Sequence, residues 1–222
     1  MIVRTLCTGA FQENCYLVAD EITKEALLID PGEGVEEIAA AVEAEKLKPV
    51  AITNTHAHID HIFGVDDLKK RYGIPFWLHR DDAFWLDAAP ESARMFGLTF
   101  GKIPEVDRWL KPGETLSCGS LRFEVRLAPG HTPGHLVFVG EGAAFVGDVL
   151  FPGSIGRTDL PGGDYATLIA SIRRELMTLP DKTVGYAGHM EPTTIGQERL
   201  SNPFVLNPEA YGRVADRAAG SC

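Results

Sequence analysis

The sequence predicts an α/β protein of the α+β kind, in which two β-sheets pack face to face and helices cover their outer surfaces. Two observations lead to this class. Each half of the chain holds a run of apolar strands followed by amphipathic helices, and no fixed-period repeat or linker-like stretch divides the halves. Because sheets and amphipathic helices must bury their apolar faces, packed layers are the expected arrangement. A single domain spanning residues 1–222 is therefore predicted.

The first half is predicted to hold five strands and three helices. The strands are expected at 2–7, 14–19, 25–30, 50–54 and 75–78, and the helices at 35–46, 62–72 and 80–89. In the first helix, Val35, Ile38 and Val42 recur at the spacing of one helix face. Pro90 is expected to end the third helix, since proline lacks the amide hydrogen that a helix interior needs. Residues 90–113 are then irregular, and their apolar side chains favour a flap over a substrate pocket and an anchored surface loop equally.

The second half is predicted to repeat the order of strands followed by helices. Four strands are expected at 115–118, 120–128, 136–140 and 143–147, and a later strand and helix at 183–187 and 194–200. Between them, a helix follows Asp164 and carries apolar residues at helical spacing as far as Pro180.

The composition is that of a soluble globular protein, with 222 residues of which 45% are hydrophobic and 23% are charged. The formal net charge of −10 argues against nucleic acid and against anionic membranes, because both require a basic protein surface. An anionic small substrate would need a local basic pocket. We expect a monomer or small homo-oligomer that acts on a small molecule, with no nucleic-acid and no membrane partner.

The cysteines and the N-terminal segment predict a cytoplasmic protein. Cys7, Cys15, Cys118 and Cys222 show no Cys-x-x-Cys spacing and are too few for a disulfide framework. They are expected to be free thiols in a reducing compartment. The N-terminus lacks the apolar segment of a signal peptide, and no run approaches the roughly 20 apolar residues of a membrane span.

Residues 55–61, which read Thr-His-Ala-His-Ile-Asp-His, concentrate side chains that bind metals. Imidazole nitrogen and carboxylate oxygen are ligands that zinc, iron and manganese accept. Residues two apart in an extended segment point the same way, so His56 and His58 can bind one ion while Asp60 and His61 face another. Four ligands cannot complete two coordination spheres, so the motif predicts further ligands downstream.

Three downstream residues, His131, Asp148 and His189, each follow a predicted strand and lie beside glycine, where backbones can approach closely. The predicted ligand sets are His56, His58 and His131 for the first ion and Asp60, His61 and His189 for the second, with Asp148 as the bridge. The predicted cofactors are thus two divalent metal ions, with zinc favoured and iron or manganese accepting the same ligands. His135 and His79 are expected to have supporting roles.

Together these motifs resemble the metallo-β-lactamase superfamily, and the resemblance spans nearly the whole chain. It implies a four-layer αβ/βα sandwich with a two-metal site at the edges of the sheets. Segments 147–159 and 188–199 are similar to those of glyoxalase II-like hydrolases. True β-lactamases usually carry arginine or another residue at the position of His61 and cysteine at that of Asp148. Since 33 residues follow His189, the compact members without a glutathione-holding C-terminal part match more closely.

The resemblance implies hydrolysis of a small thioester, an S-acylglutathione such as S-lactoylglutathione. A hydroxide that bridges the two ions would attack the carbonyl, because metal binding lowers the pKa of water towards about 7. Asp60 and Asp148 are the predicted catalytic residues. Arg157 and Tyr186 are the predicted substrate contacts, and a salt bridge to Asp159 is an equal alternative for Arg157.

Two other functions stay open at this point. An oxidoreductase similar to persulfide dioxygenases would hold a single iron with His56, His131 and Asp148 and would activate dioxygen. A non-catalytic metal-binding protein would keep the fold without turnover. Serine hydrolysis and nucleotide binding are disfavoured, because the chain has neither a Gly-x-Ser-x-Gly elbow nor a Gly-x-x-x-x-Gly-Lys loop.

Overall fold

The first β-sheet holds six strands that follow one another in chain order. The computed structural model describes residues 1–211, and this sheet comprises β1 (Ile2–Thr8), β2 (Glu13–Ala19), β3 (Glu25–Ile29), β4 (Lys48–Thr53), β5 (Phe76–His79) and β6 (Arg108–Leu110). The strands from β1 to β3 pair antiparallel, whereas those from β3 to β6 pair parallel. Parallel neighbours need crossover connections, which the helices between them supply.

The second sheet also has six strands, but their order in the sheet differs from their order in the chain. The later strands are β7 (Thr115–Cys118), β8 (Leu121–Leu127), β9 (Leu136–Gly140), β10 (Ala143–Gly147), β11 (Leu150–Phe151), β12 (Ser154–Ile155), β13 (Val184–Ala187) and β14 (Thr193–Thr194). The sheet runs in the order β14-β13-β10-β9-β8-β7, and β11 and β12 form a separate hairpin. In this sheet β10 and β13 are parallel, and the other pairs are antiparallel.

Helices cover the outer surfaces of both sheets. They are α1 (Val35–Ala44), α2 (Ile59–Ile62), α3 (Val65–Tyr72), α4 (Ala83–Met95), α5 (Tyr165–Ser171), α6 (Ile195–Ser201) and α7 (Pro203–Leu206). A 3-10 turn at Arg80–Asp82 precedes α4, and α5 continues as a π-helical segment at Ile172–Leu176.

Side chains alternate between the two faces of each sheet, and this alternation builds three apolar layers. In β2, Tyr16 and Val18 pack in the layer between the sheets, whereas Leu17 packs in the layer that contains α1, α3 and α4. In β10, Phe145 faces the first sheet and Val146 packs with α5. The order of helices, sheet, sheet and helices confirms the predicted four-layer αβ/βα sandwich.

Two predictions for the middle of the chain are wrong. Helix α4 continues through Pro90, because Leu86, Ala89 and Ala93 form a buried face that holds it in place. This packing outweighs the local cost of proline, which is about 3 kcal/mol in a helix interior. The segment 90–113, expected to be irregular, therefore contains the end of α4 and also strand β6.

The cysteines that the structure describes are free thiols. Cys7 is exposed, Cys15 and Cys118 are buried, and Cys222 lies outside the described residues. Burial raises the pKa of the Cys118 thiol to about 11, so this group stays protonated at neutral pH. Within residues 1–211, no helix combines the length and the apolar character that crossing a membrane requires.

The Tyr16 hydroxyl joins the two sheets at the end of β13. It is buried and donates a 2.5 Å hydrogen bond to the carbonyl of Ala187. Replacing Tyr16 by phenylalanine is expected to lower the free energy of unfolding by about 1 kcal/mol, since the hydrogen bond is lost while the ring packing stays. Urea unfolding measures this change. Tyr186→Phe is the control, because that ring also packs between the sheets, and an equal loss in both variants would contradict the role of the Tyr16 hydroxyl.

Candidate metal centre

The predicted ligands come from loops that meet at one edge of the two sheets. His56 and His58 follow β4, and α2 begins directly after His58. His131 follows β8, Asp148 follows β10 and His189 follows β13. The strands end together at this edge, so residues far apart in sequence become neighbours. The structure thus brings all of the predicted ligand side chains into one cluster.

The first ligand group contains His56, His58 and His131, all of them buried. His58 Nδ1 lies 3.1 Å from His56 Nε2 and 2.9 Å from His131 Nε2. Nitrogens at about 2.0–2.1 Å from a tetrahedral ion are about 3.3–3.4 Å apart, so these separations are close to those of a coordination shell. Burial lowers the pKa of all three imidazoles, to about 3 for His58, and this keeps them in the neutral form that binds metals.

The second ligand group contains Asp60, His61 and His189. Asp60 Oδ2 lies 3.2 Å from His189 Nε2 and 3.8 Å from His61 Nε2. Burial disfavours the charged form of His61, but the carboxylates of Asp60 and Asp148 outweigh it and raise the His61 pKa. Binding of a cation to this ring therefore requires the release of a proton.

Asp148 lies between the two groups. Its Oδ1 atom is 3.5 Å from His61 Nε2, and its Oδ2 atom is 3.6 Å from His131 Nε2 and 3.7 Å from His189 Nε2. Burial opposes ionisation of this carboxyl, but the three imidazoles outweigh it and hold the Asp148 pKa far below its ordinary value. The carboxylate thus stands where the sequence predicts a bridge between two ions.

Unpartnered buried atoms test whether these residues fit divalent cations. His61 Nε2 and Asp148 Oδ1 are shielded from solvent and have no hydrogen-bond partner in the described part of the chain. A buried polar atom without a partner lowers the stability of the fold by about 1–3 kcal/mol, and a cation between these two atoms would satisfy both. Gly188 keeps this space open, because a Cβ atom there would collide with Asp148 Oδ1 and lie 2.6 Å from His61 Cε1. The donor set therefore fits divalent metals, and zinc, iron and manganese all accept it.

Two groups that sequence reasoning missed orient the ligand rings. Asp30 Oδ2 lies 3.2 Å from His61 Nδ1, and the two Asp30 oxygens accept 2.6 Å hydrogen bonds from the Thr55 amide and hydroxyl. The carbonyl oxygen of Arg157 lies 2.8 Å from His131 Nδ1. Such partners fix the orientation and tautomer of a metal-binding imidazole. The Asp-Pro-Gly turn that Asp30 opens is the sequence signal that could have identified it.

Asp82, also missed, ties together the two loops of the first ligand group. Its Oδ2 atom accepts hydrogen bonds from the Ala57 amide at 3.0 Å and the Thr132 hydroxyl at 2.8 Å, and its Oδ1 atom accepts one from the Gly134 amide at 2.6 Å. The side chain is fully buried, and this burial raises the Asp82 pKa to about 6. The carboxyl group fixes one loop against the other.

The two histidines outside the ligand sets have supporting positions. His135 Nε2 accepts a 3.1 Å hydrogen bond from the Asp148 amide, and its ring stacks on His56 with 4.7 Å between centroids. His79 Nδ1 accepts a 3.2 Å hydrogen bond from the Asp81 amide where the 3-10 turn begins. Both positions agree with the supporting roles that the sequence predicts.

A cavity of about 650 Å³ opens over both ligand groups. Its size is typical of a small-molecule site. Most of its lining is apolar and includes Trp85, Met95, Phe96, Phe151, Leu160 and Met190. The end of α4 thus borders the pocket, whereas Phe100 and Trp109 of the same segment, 90–113, pack against the core.

One of the two predicted substrate contacts reaches this cavity. Arg157 lines it, but its guanidinium donates two 2.7 Å hydrogen bonds to Asp159, so the salt-bridge alternative is also present. The prediction for Tyr186 is wrong, because its ring stacks on Phe145 in the layer between the sheets, with 5.0 Å between the ring centroids. The alternation of β13 points this side chain into the core, which removes Tyr186 from the substrate contacts.

Known proteins are similar to this chain over most of their length. A relative from Haemophilus influenzae named hydroxyacylglutathione hydrolase GloC is 43% identical over 209 residues, which cover 92% of this chain and 98% of the relative. A solved structure of TTHA1623 in a di-iron-bound form is 40% identical, with a TM-score of 0.84, and the match covers 91% of this chain and 100% of that one.

Two further structures show the breadth of the similarity. One is described as the BLEG-1 B3 metallo-β-lactamase (39% identity, TM-score 0.86, 92% of this chain and 99% of that one). The other is ETHE1 from Myxococcus xanthus (28% identity, TM-score 0.80, 98% of this chain and 91% of that one). The family model of the metallo-β-lactamase superfamily matches residues 8–189, a span that holds every predicted ligand. The chain therefore belongs to the metallo-β-lactamase superfamily.

Proposed function

We propose that this protein is a metal-dependent hydrolase that cleaves a small thioester, an S-acylglutathione such as S-lactoylglutathione. The observation that carries this proposal is the position of Asp148 between two ligand groups at the floor of one cavity. The similarity to a relative named hydroxyacylglutathione hydrolase supports the substrate class.

The two catalytic carboxylates have separate tasks in this reaction. Two divalent ions, when bound, supply Lewis acidity and lower the pKa of water to about 7. Asp60 accepts a hydrogen bond from the attacking water and orients it, while Asp148 holds the two ligand groups at a fixed separation. Burial opposes the ionisation of both carboxyls, but His61 and the neighbouring imidazoles outweigh it and lower both pKa values. Both groups are therefore acceptors at neutral pH.

A thioester suits this site because its leaving group needs no proton donor. Free thiols have a pKa of about 8.5, so a thiolate departs readily at neutral pH. The carboxylates and imidazoles at the floor of the cavity are committed to the ligand groups, and the amine nitrogen of a cleaved amide would require a separate acid. This difference favours thioesters over amides as substrates.

Metal content and turnover test the proposal together. Protein purified without chelators is expected to hold two divalent ions per chain and to hydrolyse S-lactoylglutathione. A panel of further thioesters and one β-lactam defines the substrate class. Inactivity of the metal-loaded protein towards every thioester in the panel would overturn the proposal.

Asp60→Asn is expected to lower kcat for S-lactoylglutathione by about 100-fold. The amide keeps the size of the side chain but loses the charge that orients the water, and losing one such interaction costs about 10²- to 10³-fold in rate. Steady-state kinetics at saturating metal measures the change. Asp67→Asn is the matched control, because Asp67 is exposed on α3. Equal rates for Asp60→Asn and Asp67→Asn would remove Asp60 from the reaction.

An iron-dependent oxidation of a persulfide is the second candidate function, and the similarity to ETHE1 favours it. In this case His56, His131 and Asp148 hold a single iron, and the remaining ligand residues hold none. Two measurements separate the candidates. One iron per chain with oxygen uptake on a persulfide supports the oxidoreductase, whereas two ions per chain without oxygen uptake support the hydrolase.

A further inference from the structure

Apolar side chains form one side of the cavity mouth, next to His189. We call this surface the apolar wall, and it consists of Phe11, Met95, Phe96, Phe151 and Met190. Three of these side chains are exposed to solvent, Met95 by 81%, Phe96 by 59% and Met190 by 58%. Single exposed apolar residues are common on folded proteins, but a contiguous exposed group at a cavity mouth indicates a binding surface.

The apolar wall is fixed to the second ligand group. The carbonyl of Gln12, next to Phe11 in the chain, lies 3.3 Å from His189 Nδ1. The carbonyl of Met190, directly after His189, accepts a 2.7 Å hydrogen bond from Asn14 Nδ2. Phe11 meets Phe96 edge to face at 4.9 Å, and the Phe151 ring lies 6.2 Å from the His189 ring. A substrate group that is held at His189 therefore lies next to the apolar wall.

The part of the cavity next to the first ligand group contains a cationic side chain. Arg157 lies there, since its carbonyl oxygen contacts His131 of the first ligand group. Among residues 1–211, Arg157 is the one lysine or arginine side chain in the lining of this cavity. The Arg157 guanidinium is paired with Asp159, so a substrate carboxylate placed here would share or replace that partner. The apolar wall would instead strip a carboxylate of water without supplying an opposite charge. The region around Arg157 thus suits an anionic arm, and the apolar wall suits an apolar arm.

We propose that the site selects thioesters by an extended apolar acyl arm that lies on the apolar wall, while the thiol arm lies on the Arg157 side. This inference rests on the proposed thioester hydrolysis. The preferred acyl groups are aliphatic or aromatic, of about four to eight carbons, which the volume of about 650 Å³ accommodates beside a thiol arm. A lactoyl group has three carbons and a hydroxyl, so it leaves most of the wall uncovered.

A series of S-acylglutathiones with a constant thiol arm tests this inference. Burial of one methylene group favours binding by about fourfold, and partial exposure of the wall reduces that factor. We therefore expect kcat/KM to rise at least tenfold from S-acetyl- to S-hexanoylglutathione, with S-lactoylglutathione near the lower value. A flat series, in which all members are hydrolysed at similar rates, would overturn the inference and leave the proposed function standing.

Phe96→Ala is expected to reduce the ratio of hexanoyl to acetyl kcat/KM at least fivefold. Phe96 is exposed and its removal opens no buried cavity, so the variant should fold. Leu200→Ala is the matched control, because Leu200 is 79% exposed on α6 and lies outside the cavity lining. It is expected to keep the wild-type ratio. An unchanged ratio in Phe96→Ala would contradict the assignment of the acyl arm to the wall.

Binding of uncleaved thioethers separates this inference from the proposed function. S-hexylglutathione is expected to bind at least tenfold more tightly than S-methylglutathione, as measured by calorimetry on the wild-type protein. Equal affinities would overturn the role of the wall even if every thioester is hydrolysed. If no thioester is hydrolysed but S-hexylglutathione still binds more tightly than S-methylglutathione, the proposed reaction is overturned. The apolar specificity of the wall is then retained.

Discussion

Asp148→Ala is expected to lower kcat/KM for thioester hydrolysis by about 10³-fold or more and to remove at least one metal ion per chain. The Asp148 carboxylate lies within 3.7 Å of imidazoles of both ligand groups. Without it, five imidazoles and Asp60 would have to hold two cations with one negative charge less. A decrease of this size in kcat/KM corresponds to the loss of several kcal/mol of transition-state stabilisation, since each factor of ten equals about 1.4 kcal/mol.

Elemental analysis and steady-state kinetics on the same preparation measure both effects. Asp87→Ala is the matched control, because Asp87 is exposed on α4. Circular dichroism establishes whether the Asp148 variant keeps its fold. A folded Asp148→Ala protein that retains two ions and full activity would show that the carboxylate has no bridging role.

Asp82→Ala is expected to lower the free energy of unfolding by about 3 kcal/mol, since it leaves three buried donors without an acceptor and each costs about 1–3 kcal/mol. These donors are the Ala57 and Gly134 amides and the Thr132 hydroxyl. Because they belong to the loops of the first ligand group, we also expect metal affinity to fall by about 10- to 100-fold, the usual effect of losing a residue that supports ligands.

Urea unfolding and metal titration measure the two effects separately. Asp81→Ala is a control at the adjacent position, with a side chain that is 60% exposed. Asp82→Asn should have a smaller effect on stability, because it keeps one acceptor oxygen and avoids the burial of charge that raises the Asp82 pKa to about 6. Equal stability of the Asp81 and Asp82 alanine variants would contradict the tethering role.

The residues of the two candidate ligand groups could be singled out from sequence because their signal is local. Each follows a strand that can be recognised by its apolar pattern, and strand ends gather at one edge of a sheet. The order of strands followed by helices in each half predicted the layered arrangement, in which Leu17 and Val18 of one strand pack in different layers. The chemistry of histidine and aspartate then supplied the expectation of divalent metals.

The supporting residues and the cavity lining could not be predicted in the same way, because they depend on tertiary contacts. Nothing in the local sequence separates the buried Asp82 from the exposed Asp81 beside it. Pro90 was expected to end a helix, but packing of α4 outweighs that local preference. Tyr186 was predicted to contact a substrate, but the register of β13 places it between the sheets.

The side chains that line the cavity mouth illustrate the same limit. Phe11, Phe96 and Met190 come from three distant segments, and they meet at the cavity mouth because the fold brings those segments together. Their sequence neighbours carry no common motif. The sequence offered only the apolar residues of segment 90–113, among them Met95 and Phe96, and these favoured a flap and an anchored surface loop equally.

Anomalous diffraction from crystals grown with zinc locates the bound ions directly. Two metal peaks are expected, one enclosed by His56, His58 and His131 and the other by Asp60, His61 and His189, with Asp148 in contact with both. The absence of a peak within this cluster, or metal bound only at a place away from these side chains, would contradict this arrangement.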